Sequence, residues 1–183
     1  HGLCMHDRHW PRGEGSADAA VRALGYTPLY LHYNTGRAVA DNGRALSALL
    51  DALLAEWPDQ NAELSMVCHS MGGLVARSAC EHARTTDARW LQTLRHLVFL
   101  GTPHHGSALE RAGKRVDYLL GISPYTAPFV ALGGVRSAGI QGLGDGRVTQ
   151  DGQPAVLPHA VRCHAIAGNQ RLDGDGLVSV DSA

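Results

Sequence analysis

The sequence predicts an α/β protein whose mostly parallel sheet carries helices on both faces, and three observations point to this class. First, short apolar runs typical of strands alternate with helical stretches, which is the pattern of βαβ units. Second, Val98, Phe99 and Leu100 form a continuous apolar run, as expected of a parallel strand buried on both faces. Third, 183 residues suffice for one domain with a sizeable core, so we assign residues 1–183 to a single domain.

The individual elements follow from local signals in chain order. Ser16 can cap an Ala-rich stretch that stops at Gly25, and Asp41 or Asn42 can cap the leucine-rich helix that Pro58 ends. Helices are therefore predicted over 16–24, 41–57 and 74–82, and strands over 29–33, 64–68, 97–101 and 161–168.

Composition indicates a globular chain and excludes several classes of partner. Hydrophobic residues make up 44% and charged residues 18% of the chain, and its net charge is −1 without a long run of one sign. We therefore expect neither nucleic acid nor an anionic membrane as a partner. No apolar run approaches the roughly 18 residues of a transmembrane helix. We favour a cytoplasmic location, although the start at His1 without a methionine suggests a truncated N-terminus and leaves a signal peptide open.

Neither the cysteines nor the N-terminal histidines indicate a disulfide, a metal site or another cofactor. The four cysteines are Cys4, Cys68, Cys80 and Cys163. They lie far apart and include no CxxC pair, so buried free thiols are expected. The N-terminal histidines are His1, His6 and His9. Their spacing fits no strong ligand pattern, so we expect no metal and no cofactor.

The segment Cys68–Gly73 has the strongest chemical signature in the chain. A strand, a small-x-Ser-x-Gly turn and a helix together place a serine hydroxyl above the sheet, which predicts Ser70 as a nucleophile. The N–H of Met71 is then the first donor to an oxyanion. The common pattern has glycine where this chain has Cys68, and a buried serine in a glycine-rich turn is the alternative interpretation.

Two acidic residues follow the last predicted strand. Asp175 is the preferred triad acid and Asp173 the second choice, because a serine triad needs its carboxylate on the loop after a late strand. A solvated turn or a calcium ligand would account for the same Asp-Gly pairs. No histidine follows Asp175 before Ala183, so we expect the chain to lack its last strand and the general base.

Earlier histidines are weaker candidates for that base. These are His104, His105, His159 and His164. Since His104 and His105 follow a strand end on the same sheet edge as Ser70, we expect them to line a pocket there together with His69.

The stretch from Pro103 to residue 160 differs from the rest of the chain. It holds five of the eight prolines and many glycines, and we place a lid or cap insertion at about 104–160. Its apolar residues suit either an acyl or lipid group or an ordinary core. These residues are Leu119, Leu120, Ile122, Phe129 and Val130.

Several segments together resemble lipase-type α/β-hydrolases. They are HGL at 1–3, LHYN at 31–34, CHSMGGLVARSA at 68–79, LVFLGTPHHGS at 97–107 and GDGLV at 174–178. The resemblance is greatest to the bacterial group related to the GPI inositol-deacylase and triacylglycerol lipase families. It touches most of the chain, and the segments are more specific in combination than singly.

The resemblance implies a serine ester hydrolase that acts on a small-molecule or lipid ester through an acyl-enzyme. Ser70 would be the nucleophile, Asp175 the acid, and the N–H groups of Leu3 and Met71 the oxyanion donors. In the family the histidine follows the acid, which would place it beyond Ala183. A non-catalytic binding protein and an acyltransferase with the same site are the alternatives. The sequence does not indicate an oligomeric state.

Overall fold

A computed structural model describes residues 1–3, 5–10, 13–14, 16–104, 148–149 and 155–167. The helices in these ranges are α1 (Ala17–Ala23), α2 (Val39–Ala55) and α3 (Met71–Thr86), with short 3-10 helices at Asp7–His9 and Arg89–Gln92. The strands are β1 (Leu64–His69), β2 (Leu94–Leu100) and β3 (Arg162–Ile166). No helix in the described ranges combines the length and the apolar character needed to cross a membrane. Most of the predicted lid at 104–160 lies outside the described residues.

The three strands form a parallel sheet in the order β1-β2-β3. Cys68 pairs with Phe99, and Phe99 pairs in turn with Ala165. Parallel neighbours need a crossover connection, and α3 provides it between β1 and β2. This arrangement confirms the predicted class, an α/β fold with a parallel sheet.

One face of this sheet packs against the helices. Met66 and Cys68 of β1 lie beside Leu97 and Phe99 of β2 in that face. Burying an apolar side chain of this size stabilises the fold by about 1.5–3 kcal/mol. The same buried cluster includes Leu50, Ala76, Ala79, Cys80, Ala83, Trp90, Leu94 and Val161.

Trp90 connects the second 3-10 helix to α2. Its side chain is fully buried, and its indole Nε1 donates to Ser47 Oγ over 2.9 Å. Its backbone N–H donates to Asp51 Oδ1, also over 2.9 Å. A buried indole N–H needs such a partner, so Ser47 makes this position compatible with tryptophan.

Helices α2 and α3 approach each other closely at Gly43. A methyl group on Gly43 would lie 2.9 Å from the carbonyl carbon of Ser78 and would overlap the Ser78 side chain. The absence of a side chain at Gly43 therefore sets the separation of the two helices.

The predicted helix signals are confirmed for α1 and only partly for α2. Ser16 Oγ accepts from the N–H of Ala19 over 3.3 Å, and Gly25 has a φ of +84° after the helix. The predicted cap at Asp41 or Asn42 is wrong, because α2 already begins at Val39. Asn42 instead donates its side-chain amide to the carbonyl of residue 34 over 2.9 Å.

Two further expectations are corrected. Residues 29–33 form no strand, because the described sheet consists of β1 to β3 and offers this segment no ladder. Cys68, Cys80 and Cys163 are free thiols, as the sequence predicts. Cys163, however, is exposed, whereas burial was expected for it.

Candidate active site

Ser70 is the single residue between β1 and α3, and its backbone is strained. Its φ is +50° and its ψ is −122°, a combination that costs about 1–3 kcal/mol in a residue with a side chain. The Ser70 N–H donates to the carbonyl of Leu100 over 2.9 Å, and the Ser70 carbonyl accepts from the N–H of Gly73 over 3.0 Å. Contacts with β2 and α3 thus hold the chain in a sharp turn from strand to helix.

The two glycines after Ser70 each face a different segment. A methyl group on Gly72 would lie 2.9 Å from the carbonyl oxygen of His1. One on Gly73 would lie 2.5 Å from Thr102 Cγ2 and would overlap its hydroxyl oxygen. Thr102 is only 1% exposed. The absence of a side chain therefore has a separate steric cause at each of these two positions.

The N-terminal turn lies directly against Ser70. A methyl group on Gly2 would lie 3.2 Å from Ser70 Cβ and 3.1 Å from Nδ1 of His69. Leu3 packs against the buried cluster that contains Met71. The structure thus brings together Ser70, Met71 and the 1–3 turn, which the resemblance placed at one site.

The first turn of α3 supplies free peptide N–H groups at this site. The first N–H groups of any α-helix have no partner within the helix, and the helix dipole adds partial positive charge there. Among the described residues, neither Met71 nor Leu3 donates its N–H to a backbone carbonyl outside regular helices and strands. These are the two N–H groups that the resemblance assigns to the oxyanion.

Cys68 lies below the turn and is chemically quiet. It is buried, and burial raises the pKa of its thiol to about 12. A thiol with such a pKa carries almost no thiolate near neutral pH, and the thiolate is the nucleophilic form of cysteine. Cys68 therefore fills the position of the usual glycine as a packed, neutral side chain.

The structure holds His104 against α3 beyond the Ser70 turn. Arg77 Nη1 lies 3.2 Å from His104 Nδ1 and donates to the His104 carbonyl over 3.2 Å. Because a guanidinium only donates, Nδ1 is the acceptor, which favours the neutral imidazole. The ring also meets Phe99 edge-on, with centroids 4.6 Å apart.

The other predicted histidines and acids are distributed as follows. His164 lies on β3 and stacks on His96 of β2, with ring centroids 5.7 Å apart. His159 is exposed in the turn before β3. The predicted residues His105, Asp173 and Asp175 lie outside the described residues.

The histidines of the first 3-10 helix engage in local hydrogen bonds. His6 Nδ1 accepts from the N–H of Arg8 over 3.2 Å, and His9 Nδ1 accepts from the N–H of His6 over 3.0 Å. His32 Nδ1 lies 2.8 Å from Asp7 Oδ1, and this hydrogen bond lowers the pKa of the Asp7 carboxyl. In the described part of the chain, no group of three or more His, Cys, Asp or Glu residues is arranged to hold a metal ion.

The sequence indicated no role for three residues near the site: Tyr33, Arg77 and Thr102. Arg77 donates to the carbonyls of His104 and Ala155, each over 3.2 Å, and burial lowers its pKa. All three make their contacts with residues that are more than 25 positions away in sequence. Local motifs carry no signal for contacts of that kind.

Comparison with known proteins bears on the fold and the family. Residues 20–142 match the family described as a domain of unknown function, DUF7379. Among solved structures, the chain is similar to the crystal structure of mature BlEst2, a lipase from Bacillus licheniformis, with a TM-score of 0.63 and 22% sequence identity. The match covers 93% of this chain and 64% of the lipase, so the chain spans less than two thirds of the lipase's length. No curated protein sequence matches the chain. At this identity the likeness shows an α/β-hydrolase-like fold and nothing finer.

Proposed function

The chain belongs to the DUF7379 family of domains of unknown function, and we propose that it is a serine ester hydrolase acting through an acyl-enzyme on Ser70. The observation that carries the proposal is the backbone of Ser70, a residue with a side chain held at φ +50° and ψ −122° between a strand and a helix. An α/β-hydrolase-like fold uses this turn to expose a nucleophile.

Strain at this position favours chemistry over a merely structural serine. Glycine would adopt the same backbone angles with less strain, so serine here costs about 1–3 kcal/mol that the surrounding contacts must offset. Ser70 is only half-buried, so its side chain is not enclosed in the core. A strained, accessible hydroxyl at a helix N-terminus is a reasonable nucleophile.

The proposed oxyanion hole consists of two peptide N–H groups. Met71 supplies one from the first position of α3, and Leu3 supplies the other from the turn that contacts Ser70. Removing one such donor typically raises the barrier by about 3 kcal/mol, so two aligned donors would account for a large part of the rate.

The proposed reaction has two acyl-transfer steps. Ser70 Oγ attacks the ester carbonyl carbon while a histidine takes the hydroxyl proton, and the carbonyl oxygen becomes an oxyanion held by Leu3 and Met71. The intermediate then expels the alcohol, which receives that proton. Water attacks the acyl-enzyme in the same way and releases the acid. Asp175 is the proposed partner that orients the histidine.

The proposed substrate class is a small-molecule or lipid ester. The structural neighbour is a lipase, which supports an ester substrate for this chain. The narrower relation to the GPI inositol-deacylase group stays a prediction based on sequence motifs.

The test is covalent labelling combined with turnover. A fluorophosphonate probe is expected to label the complete protein at Ser70, and Ser70→Ala is expected to reduce p-nitrophenyl ester hydrolysis by more than about 10⁴-fold. Ser65→Ala is the matched control, because Ser65 lies on β1 and its buried hydroxyl has no hydrogen-bond partner among the described residues. Unlabelled wild-type protein, or normal turnover by Ser70→Ala, would contradict the proposal.

A further inference from the structure

Tyr33 touches the N-terminal turn through three separate contacts. Its hydroxyl donates to the carbonyl oxygen of His1 over 2.6 Å. Its backbone N–H donates to Nε2 of the His1 imidazole over 3.4 Å, and its ring stacks on that imidazole with centroids 4.2 Å apart. His1 itself is only 6% exposed. One tyrosine therefore fixes both the backbone and the ring of His1.

These contacts determine the protonation pattern of the His1 ring. Nε2 accepts from Tyr33, so in the neutral ring the proton resides on Nδ1. Nδ1 lies 3.2 Å from the carbonyl oxygen of Gly2, to which this tautomer donates. The N–H of Met5 donates to the same oxygen over 3.2 Å. The Gly2 carbonyl is thus held by two donors.

The orientation of this carbonyl matters because of the peptide group to which it belongs. The Gly2 carbonyl and the Leu3 N–H are the two ends of one planar trans peptide, so fixing the oxygen fixes the direction of the N–H. The N-terminal turn also contacts α3, because the His1 carbonyl lies against Gly72. A methyl group on Gly72 would approach the carbonyl oxygen of His1 to 2.9 Å. The turn is therefore held between Tyr33 and the first residues of α3.

We propose that Tyr33 is a positioning residue for the oxyanion hole: through His1 it orients the Gly2–Leu3 peptide so that the Leu3 N–H faces the reacting carbonyl at Ser70. This inference rests on the proposed function. Tyr33 would affect the substrate only through the N-terminal turn, without touching it. Burial raises the pKa of the Tyr33 hydroxyl, so it remains a donor throughout the range in which a histidine base works.

The primary variant is Tyr33→Phe, which removes the hydroxyl and keeps the stacked ring. We expect kcat for a p-nitrophenyl ester to fall about 10-fold or more, short of the 100- to 1,000-fold cost of deleting a donor. KM is expected to stay within about 2-fold, because the donor acts mainly in the transition state. A trifluoromethyl ketone, which forms a tetrahedral oxyanion on serine, should bind more weakly by the same factor as kcat falls.

Tyr30→Phe is the matched control. The Tyr30 hydroxyl donates to Asp18 Oδ1 over 2.6 Å, a bond as short as that of Tyr33 but on α1. Tyr30→Phe is expected to leave kcat and inhibitor binding unchanged.

His1→Phe and His1→Asn provide a second route if Tyr33→Phe does not fold. Phenylalanine keeps the stack and removes the donor to Gly2, so it should reproduce the kcat loss. Asparagine restores an N–H near the Nδ1 position, so His1→Asn should recover most of the kcat that His1→Phe loses. Normal kcat in Tyr33→Phe, or in His1→Phe where Tyr33→Phe does not fold, while Ser70→Ala is inactive would overturn the positioning role. Turnover by Ser70→Ala would instead overturn the proposed function.

Discussion

At both ends of α3 a residue other than glycine has a positive φ, and the two ends use it differently. Asp87, at the C-terminal end, has φ +53° and ψ +42°, which is the ordinary left-handed conformation of a helix C-cap. Ser70, at the N-terminal end, has a similar φ of +50° but a ψ of −122°, outside that region. One end is a common helix stop, and the other is a rare backbone state.

The contacts around each end explain the difference. Asp87 donates its N–H to the carbonyl of Ala83, so its conformation is stabilised within the same helix. Ser70 is held by Leu100 of β2, and the glycines beside it are packed by His1 and Thr102. Strain that several distant segments must support is a reason to look for function, whereas a locally satisfied cap is not.

Among substitutions that leave Ser70 in place, the largest expected effect comes from Gly73→Ala, which disturbs the packing at the N-terminal end. Its methyl group would lie 2.5 Å from Thr102 Cγ2 and 2.8 Å from Thr102 Cβ, and the buried threonine has little room to move. Because a displacement of about 1 Å at reacting groups costs about 100-fold, we expect kcat/KM for a p-nitrophenyl ester to fall by about that factor.

Gly43→Ala is the matched control for that substitution. It creates a comparable overlap with Ser78 between α2 and α3, remote from the Ser70 turn. We expect it to lower the free energy of unfolding by about 1–3 kcal/mol and to leave kcat/KM of the folded protein unchanged. Equal activity in the two variants would show that the Ser70 turn does not depend on its packing.

The sequence predicts those features of this region that depend on local signals. The apolar runs of β1 and β2, the Ser16 cap and the turn at Ser70 were all readable because the residues that define them are neighbours in the chain. The start of α2 was missed because Asn42 uses its side chain to reach the carbonyl of residue 34 instead of capping the helix.

Non-local contacts account for what the sequence did not predict. Tyr33 meets His1 across 32 positions, and Arg77 meets Ala155 across 78. Neither pair has a spacing that a motif could reveal. The prediction of a strand at 29–33 was wrong for a related reason. A strand depends on its pairing partner as much as on its own residues. The acid at Asp175 stays a prediction.

An intermediate effect is expected from releasing the backbone strain at each end of α3. Ser70→Gly should be more stable than Ser70→Ala by about 1–2 kcal/mol, after about 0.5–1 kcal/mol is lost to the greater chain entropy of unfolded glycine. The stability of Asp87→Gly should exceed that of Asp87→Ala by no more than about 1 kcal/mol. The reason is that alanine adopts the left-handed conformation of Asp87 at a lower cost than the backbone angles of Ser70. Urea unfolding of the four variants measures both differences.

Activity separates these two pairs further. Both Ser70 variants are expected to lose ester hydrolysis, whereas both Asp87 variants should retain it. If Ser70→Gly were no more stable than Ser70→Ala, the unusual angles of Ser70 would not represent strain, and the contrast between the two ends would lose its energetic basis.

The smallest expected effect concerns two thiols, Cys68 below the N-terminal end of α3 and Cys80 within the helix. Burial raises the pKa of each thiol from 9.0 to about 12. A thiol is neutral when protonated, so the folded state retains the proton at pH values where the unfolded state has lost it. The stability from each thiol is therefore complete below pH 9 and declines as pH rises towards 12, by about 1.4 kcal/mol per pH unit.

Urea unfolding between pH 8 and pH 10 tests this, with Cys80→Ala as the comparison that removes one thiol. The variant should lose less stability than the wild type over this range, by about 1.4 kcal/mol, because one fewer thiol ionises on unfolding. Iodoacetamide at pH 8 should leave Cys68 of the folded protein unmodified, since almost none of it is thiolate. Alkylation of Cys68 under these conditions would show a reactive thiol two residues from Ser70. It would then contradict the view that the N-terminal end of α3 differs from the rest of the helix through its serine and not its cysteine.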